Sequence, residues 1–299
     1  MQLFLALFMD NKTINGAQMG KIVDSITDTY KQHNEDIYGA TDNSYWIMDG
    51  ALSLKRTNYT DDFSDVVWMV KWWQNYLKKH LEQFEKSIVA ILEEGMEQLN
   101  YEFSKFANIN ELNKLDRASA GIAIVRINDD NLESFVLGDV EINLKAGKEI
   151  ITLVDDKVEA LDKKVIDMIF NNPNRDKEYA FNGYTKEELK LLRENRLKMN
   201  SEDGYYILEH DANVIQKGIY QEYRLDEVKE ILMMSDGFSS ICKKYKQLSV
   251  EDLFVKSKNE GMESILEMIR GIEESDPGIE IYKRLRKHDD ATAVYINME

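Results

Sequence analysis

The stretch Tyr45-Trp-Ile-Met-Asp-Gly50 is an apolar run that stops at an aspartate followed by a glycine. Large apolar residues in succession, ended by a polar break, predict a short buried strand. The glycine allows the backbone to approach a neighbouring group closely at the end of that strand. The stretch therefore predicts a carboxylate presented at one end of a β-sheet.

Similar arrangements occur further along the chain. Ile231-Leu-Met-Met-Ser-Asp-Gly237 repeats the pattern, and Leu137-Gly-Asp139 adds another aspartate at the end of an apolar run. Asp289 and Asp290 instead stand just before the strand-like run Thr292–Ile296. If this last strand runs antiparallel to the others, the carboxylates that precede it lie at the same sheet edge as the aspartates that follow the other strands. Each motif alone is weak, because a strand-ending Asp-Gly is most often a simple turn.

Helical and strand-like patterns come in separate groups. The helical patterns cover a pair between residues 60 and 106, and residues 156–170, 186–198, 250–257 and 262–273. The strand-like runs are Leu3–Met9, 121–127, 132–137, 205–208, 218–225, 230–234 and 292–296. This order favours an α+β fold with mostly antiparallel sheets flanked by helices over alternating βαβ units. No linker rich in Gly, Ser or Pro divides the sequence, so we expect a single domain over residues 1–299.

The chain is acidic, with 38 Lys and Arg against 55 Asp and Glu and a net charge of −17. An acidic chain argues against a nucleic acid as the main partner, because few cations are available to neutralise phosphates. A phosphorylated substrate would need a locally positive site, which bound divalent cations provide. Cys242 is the single cysteine, so no intramolecular disulfide forms. The apolar run Leu3–Met9 is too short to span a bilayer, and we expect a cytoplasmic protein with no membrane partner.

Carboxylates that converge on one place repel each other and resist burial unless cations neutralise them. A set of oxygen ligands without histidine or cysteine suits hard ions such as Mg²⁺ and Mn²⁺. The acidic motifs therefore indicate a divalent metal site at the predicted sheet edge.

Taken in order, the acidic motifs resemble those of the metal-dependent type 2C (PPM) protein phosphatases. The motifs are Asn34-Glu-Asp36, Asp49-Gly50, Gly138-Asp139, Ser235-Asp-Gly237 and Asp289-Asp-Ala-Thr292. The resemblance covers about residues 20–297 and is that of a divergent, bacterial-type member, with the helix pair between the second and third motifs. It implies a four-layer α/β/β/α sandwich, in which helix pairs flank two central sheets and metals bind in a cleft at one end.

The resemblance also implies a role for individual residues. Asp49 corresponds to the aspartate that bridges two metals. Asp236 and Asp289 correspond to the remaining ligands of the first metal, and the carbonyl group of Gly50 corresponds to a ligand of the second. These aspartates are the expected catalytic residues.

Glu35 and Asp36 correspond to the acidic pair that holds the second metal, largely through water. Asp139 corresponds to the residue that, with Asp236, holds a more weakly bound third metal. Lys31 stands where the family usually has an arginine for the substrate phosphate. The implied cofactors are two Mn²⁺ or Mg²⁺ ions, or three when the weak site fills.

The implied activity is hydrolysis of phosphoserine and phosphothreonine on a phosphorylated protein, by a metal-activated bridging water and without a covalent nucleophile. The chain departs from the family at Ala51, where many members have a histidine, and at Lys31, which cannot form the bidentate contacts of arginine. Two alternatives stay open: an inactive relative that acts as a signalling or binding module, and a phosphatase for a small phosphorylated metabolite.

The segment from Pro173 to Ser201 has no form typical of the family, although the resemblance implies that it overhangs the cleft. It contains Arg175, Arg193 and Arg196, which are candidates for substrate contacts, although a solvated helix face is the commoner environment for each. His33 and His288 flank proposed ligand motifs and are candidates for proton donors, although ordinary loop positions are commoner.

Overall fold

The computed structural model of the chain describes residues 21–172 and 183–298. These residues contain two five-stranded sheets in which every neighbouring pair of strands is antiparallel. One sheet has the spatial order β1 (Lys21–Asp28), β10 (Ala291–Asn297), β9 (Val228–Met234), β6 (Glu141–Ala146) and β7 (Glu149–Leu153). The other has the order β2 (Ile37–Ala40), β3 (Ser44–Ala51), β4 (Ser119–Asn128), β5 (Asn131–Leu137) and β8 (Ile219–Arg224).

The α-helices of the described residues pack on the outer faces of these sheets or beside their ends. They are α1 (Asp65–His80), α2 (Ile88–Phe103), α3 (Lys157–Phe170), α4 (Lys186–Leu197), α5 (Asp236–Lys243), α6 (Val250–Glu260) and α7 (Met262–Ser275). Several begin at a polar cap. Ser64 accepts a hydrogen bond from the backbone N–H of Val67, and Thr185 and Glu188 form a reciprocal capping box.

The apolar side chains separate into layers because neighbouring residues of a strand point to opposite faces. On β3, Trp46 and Met48 pack against α1 and α2, whereas Tyr45 and Ile47 face the second sheet. A third apolar cluster joins the outer face of the first sheet to α5, α6 and α7, with Phe238 fully buried in it. The layers are therefore helices, sheet, sheet and helices, which confirms the predicted α+β sandwich.

The predicted strand at residues 205–208 is wrong. Only single bridges form there, between Leu208 and Ala120 and between Tyr205 and Met199. β5 pairs with β4 only as far as Ile122. Leu208 forms its hydrogen bonds with Ala120, in the short part of β4 that β5 does not cover. The expected strand Leu3–Met9 lies outside the described residues.

Some strands were not predicted. They are the edge strand β1, the four-residue β2 and the hairpin of β6 and β7. Separately, no helix within residues 21–172 and 183–298 has both the length and the apolar character needed to cross a lipid bilayer.

Candidate active site

The acidic motifs converge because β9 and β10 are antiparallel neighbours. Ser235 follows the last residue of β9 and lies beside Thr292, near the start of β10. Two hydrogen bonds join these two residues. Ser235 N donates to Thr292 O at 2.9 Å, and Thr292 N donates to Ser235 Oγ at 3.0 Å. Across the sandwich, the backbone N–H of Asp236 donates to Asp49 Oδ2 at 3.3 Å. This last contact joins the acidic motifs of the two sheets.

Two glycines allow the motifs to approach this closely. A Cβ atom on Gly237 would lie 2.0 Å from the carbonyl oxygen of Asp290, and one on Gly50 would lie 2.5 Å from the carbonyl oxygen of Glu35. Both neighbours are backbone atoms, which cannot rotate away as a side chain can. The glycine of each Asp-Gly pair is therefore required by packing at the site.

Most of the predicted carboxylates lie close enough to affect each other's ionisation. Burial raises the pKa of Asp49 well above its usual range, and the charges of Asp36, Asp236 and Asp139 raise it further. Burial and the charge of Asp290 likewise raise the pKa of Asp36. Burial, together with the charge of Asp236, raises the pKa of Asp139 to about 7. The protein therefore concentrates negative charge here at an energetic cost.

Cationic side chains offset part of this cost. Burial alone would raise the pKa of Asp236, but the Lys244 ammonium, whose Nζ lies 3.0 Å from Asp236 Oδ2, lowers it to about 2. Arg286 Nη1 donates to Asp289 Oδ1 at 2.6 Å. Each of the two aspartates predicted to complete the first metal's ligands therefore already holds a cation from the chain itself.

Lys31, the predicted phosphate ligand, also lies at the carboxylates. Its Nζ donates to Glu35 Oε2 at 2.6 Å and to Asp290 Oδ2 at 2.9 Å. Asp290 further accepts hydrogen bonds from Thr29 Oγ1 at 2.6 Å and from Glu35 N at 3.1 Å. Asp290 thus positions the Glu35 motif beside the Asp289 motif.

The turn that carries Asp289 is also held from the outer helical layer. Arg270 of α7 donates through Nη2 to the carbonyl oxygen of Asp289 at 2.9 Å and through Nε to Asp28 Oδ2 at 2.9 Å. Its Nη1 donates to Glu273 Oε2 at 2.8 Å. A buried arginine therefore fixes the backbone beside a predicted ligand.

The carboxylates line a cavity of about 1060 Å³. Asp49, Asp139, Asp236 and Asp289 contribute to its lining, as do Lys31, Lys244 and Arg286. Other parts of the lining come from α3, α4 and residues 281–286. Helix α4, which belongs to the segment from Pro173 to Ser201, therefore borders the site together with α3.

From α3, Asp162 extends the acidic lining. Burial raises its pKa to about 6, while the charges of Lys244 and Arg286 act to lower it. An acidic residue of α3 therefore lies near the same cations that contact Asp236 and Asp289.

The candidate arginines of the 173–201 segment differ in their surroundings. Arg196 borders the cavity and donates through Nη2 to the carbonyl oxygens of Arg117 at 2.8 Å and Leu52 at 3.4 Å. Arg193 is exposed on α4, and Arg175 lies outside the described residues.

The two flanking histidines have partners of their own. His33 packs on Phe63 with ring centroids 3.7 Å apart. His288 Nδ1 lies 2.9 Å from Glu273 Oε2, and its ring stacks on Tyr30 with centroids 3.9 Å apart.

Sequence reasoning missed the roles of Lys244, Arg286, Asp290 and Asp162 at the site. A signal for the two cations was present. In an acidic chain, Lys244 belongs to the basic run Lys243-Lys-Tyr-Lys246, eight residues after Asp236, and Arg286 stands three residues before Asp289. Nothing in the helical pattern of α3 distinguishes Asp162 from a solvated aspartate.

The predicted donor set consists of carboxylates and one backbone carbonyl group, which are ligands that Mg²⁺ and Mn²⁺ prefer. Asp36 is 5% exposed, and its Oδ2 is buried without a hydrogen-bond partner in the described structure. A buried carboxylate oxygen without a partner requires a proton or a cation. Among residues 21–172 and 183–298, no three His, Cys, Asp or Glu side chains already surround a single ion position. The residues therefore fit hard cations in donor type and charge, and a bound cation would share Asp236 and Asp289 with Lys244 and Arg286 or displace these basic side chains.

Solved structures with the same architecture are bacterial protein phosphatases. The serine/threonine phosphatase Stp1 from Staphylococcus aureus matches 99% of this chain and 100% of its own, with a TM-score of 0.54 and 14% identity. The serine/threonine phosphatase PstP/Ppp from Mycobacterium tuberculosis matches 94% of this chain and 99% of its own, with a TM-score of 0.53 and 13% identity. At such low identity these likenesses establish the fold alone.

The sequence model of the protein phosphatase 2C family matches residues 29–273, which is most of the chain. The chain belongs to the protein phosphatase 2C family, as the order of its acidic motifs predicts. A comparison with proteins of curated function finds no significant sequence match.

Gly237→Ala is expected to lower the melting temperature and to disrupt the site, because its Cβ would meet the Asp290 carbonyl at 2.0 Å. Gly271→Ala in α7 is the matched control, because nothing lies within 4 Å of the added methyl group. Alanine in a helix interior is favoured over glycine by about 0.5–1 kcal/mol, so this control should be slightly more stable than wild type. Thermal unfolding followed by circular dichroism compares the two. Equal melting temperatures for both variants would contradict the packing argument.

In chelator, the free energy of unfolding is expected to fall between about pH 4 and pH 7 through Asp139. Its pKa is raised from 3.8 to about 7, so the folded protein keeps a proton that the unfolded chain releases as pH rises above 3.8. Asp139→Asn should make this fall smaller without removing it, because the pKa of Asp162 is also raised, to about 6, and those of Asp36 and Asp49 are raised well above their usual range. The lowered pKa of Asp236 acts below this window and does not interfere.

Urea denaturation at several pH values measures the effect of Asp139, with the exposed Asp203→Asn as control. An unchanged slope in Asp139→Asn would show that Asp139 ionises normally in the folded protein.

Proposed function

We propose that this chain hydrolyses phosphoserine and phosphothreonine esters on proteins with the help of divalent cations. The observation that carries the proposal is the convergence of Asp49, Asp139, Asp236 and Asp289 on the lining of a cavity of about 1060 Å³, close to the buried Asp36. Protein phosphatase 2C membership supports a phosphatase of this kind.

The proposed ligands follow the acidic motifs. Asp49, Asp236 and Asp289 would hold the first cation. Asp49 and the Gly50 carbonyl, with Glu35 and Asp36 acting largely through water, would hold the second. Asp139 would hold a weaker third cation together with Asp236. Bound Mn²⁺ or Mg²⁺ would supply an activated water and polarise the phosphoryl oxygens.

The remaining work falls to side chains around these ligands. Asp290 fixes the position of Glu35 through the backbone hydrogen bond at 3.1 Å. Lys31 lines the cavity and is 33% exposed in its side chain, so its ammonium can reach a phosphate anion there. Ala51 borders the cavity where many family members have a histidine, so the leaving alkoxide must take its proton from water or from another group of the site.

A specific observation favours a second candidate, an inactive relative that serves as a binding module. Lys31, Lys244 and Arg286 occupy oxygens of Glu35, Asp236 and Asp289, and cations from the chain itself can neutralise the cluster without metal. A binding module would keep this arrangement and hydrolyse nothing.

Phosphopeptide hydrolysis in Mn²⁺ or Mg²⁺, with and without chelator, distinguishes the two candidates. We expect activity that the chelator removes, and a fall of at least about 100-fold in Asp49→Ala and Asp236→Ala, since each removes a ligand of the catalytic cations. The exposed Asp203→Ala is the control and should keep wild-type turnover. Mn²⁺ should also raise the melting temperature, because ions that bind only the folded state stabilise it.

Near-normal turnover in either ligand variant would refute the ligand assignment. Folded protein that Mn²⁺ stabilises but that hydrolyses neither a phosphopeptide nor an aryl phosphate would favour the binding module. Hydrolysis of aryl phosphate and small phosphorylated metabolites, without hydrolysis of phosphopeptides, would favour a metabolite phosphatase.

Lys31→Ala is expected chiefly to raise KM, with a smaller fall in kcat, if the ammonium attracts the substrate dianion in both ground and transition states. Lys31→Arg should preserve or improve activity, because a guanidinium can contact two phosphate oxygens at once. Steady-state kinetics on one phosphopeptide measures both constants. Indistinguishable constants for the three proteins would exclude Lys31 and direct attention to Arg175, Arg193 and Arg196.

A further inference from the structure

Two basic side chains lie directly on the carboxylates of the site. Lys244 Nζ is 3.0 Å from Asp236 Oδ2, and Arg286 Nη1 is 2.6 Å from Asp289 Oδ1. Both acceptors belong to the proposed ligands of the first cation. A positive charge at one oxygen of a carboxylate repels a divalent cation that approaches either oxygen of that carboxylate.

Lys244 reaches the site from the far end of α5. Asp236 is the first residue of this helix and Lys244 is its C-cap, so about 12 Å of helix separates the two backbones. The lysine side chain must extend back along the helix to make the contact at 3.0 Å. With 29% of its side chain exposed, Lys244 can swing into the cavity when the contact breaks.

The surrounding charges explain why these cations stay at the site without metal. Asp49, Asp139 and Asp162 also lie close enough to act on Asp236 or its neighbours. An ammonium or guanidinium beside such a group relieves repulsion that would otherwise destabilise the fold. A divalent ion relieves the same repulsion with twice the charge.

We propose that Lys244 and Arg286 are internal counter-ions of the carboxylate cluster, which compete with divalent cations for Asp236 and Asp289 and so weaken metal affinity. The proposal rests on the metal site of the proposed function. Metal binds more tightly to the fraction of molecules in which Lys244 and Arg286 have moved away from the carboxylates, so the apparent dissociation constant rises as that fraction falls. Removal of one counter-ion should therefore tighten metal binding.

The test uses isothermal titration calorimetry of Mn²⁺ into the full chain after treatment with chelator and dialysis. In Lys244→Met, the dissociation constant should fall at least tenfold, because the competitor is removed. The metal-free variant should also melt at a lower temperature than wild type, and Mn²⁺ should raise its melting temperature by more.

Lys243→Met is the matched control. Lys243 precedes Lys244, has a similar exposed fraction of 27%, and lies in ion-pair distance of Glu141 rather than of the proposed ligands. Its loss should leave the dissociation constant for Mn²⁺ at the wild-type value. Arg286→Gln is a second test variant, with the same expected direction as Lys244→Met, in case Lys244→Met does not fold.

Equal or weaker Mn²⁺ binding in Lys244→Met and Arg286→Gln would overturn the proposal. Phosphopeptide hydrolysis in saturating Mn²⁺ separates this result from a failure of the proposed function. Tighter binding without hydrolysis in any protein would support the counter-ions and refute the phosphatase activity. Hydrolysis with unchanged Mn²⁺ affinity in the variants would support the phosphatase activity and refute the counter-ion proposal. No Mn²⁺ binding by any of the proteins would overturn both proposals.

Discussion

Repulsion between carboxylates is the constraint on which this end of the molecule depends. Asp36, Asp49 and Asp139 are held where burial and neighbouring negative charge raise the pKa of each. Such a group is stable only if protons, basic side chains or bound cations neutralise it. The protein shows two of these solutions, since raised pKa values favour protonation and Lys244 pairs with Asp236. The proposed metals are the third.

The stability of the sandwich makes this concentration of charge possible. Its apolar layers bury Trp46 and Trp73 on one side and Phe238 and Tyr295 on the other. The acidic motifs lie at or near strand ends, with Asp49 in the last three residues of β3 and Asp236 two residues after β9. Hydrophobic burial can therefore offset a local electrostatic cost.

Much of this arrangement could be predicted from the sequence because it depends on local patterns. Apolar runs before Asp-Gly predicted strands β3 and β9, although β3 continues through Asp49 and Gly50 to Ala51 instead of stopping at the aspartate. The three- and four-residue spacing of apolar residues predicted α1 and α2. Strands β2 and β7 were missed because they are short and only partly buried, which leaves little apolar pattern. Lys244 and Arg286 were missed for a different reason. Their positions near Asp236 and Asp289 in the sequence indicate cations close to the motifs, but only the three-dimensional path shows that each side chain folds back onto a carboxylate instead of extending into solvent.

The turn at Asp289 and Asp290 is held by Arg270 from α7, by Thr29 after β1 and by contact with Gly237 of α5. Its backbone conformational entropy is therefore lost when the protein folds. A ligand that binds there meets a preorganised turn and bears little of that entropic penalty itself. The long side chains of Lys244 and Arg286 behave differently, since release from their carboxylates returns rotamer freedom to them. Ligand binding at this turn should therefore carry a favourable entropic contribution from the chain.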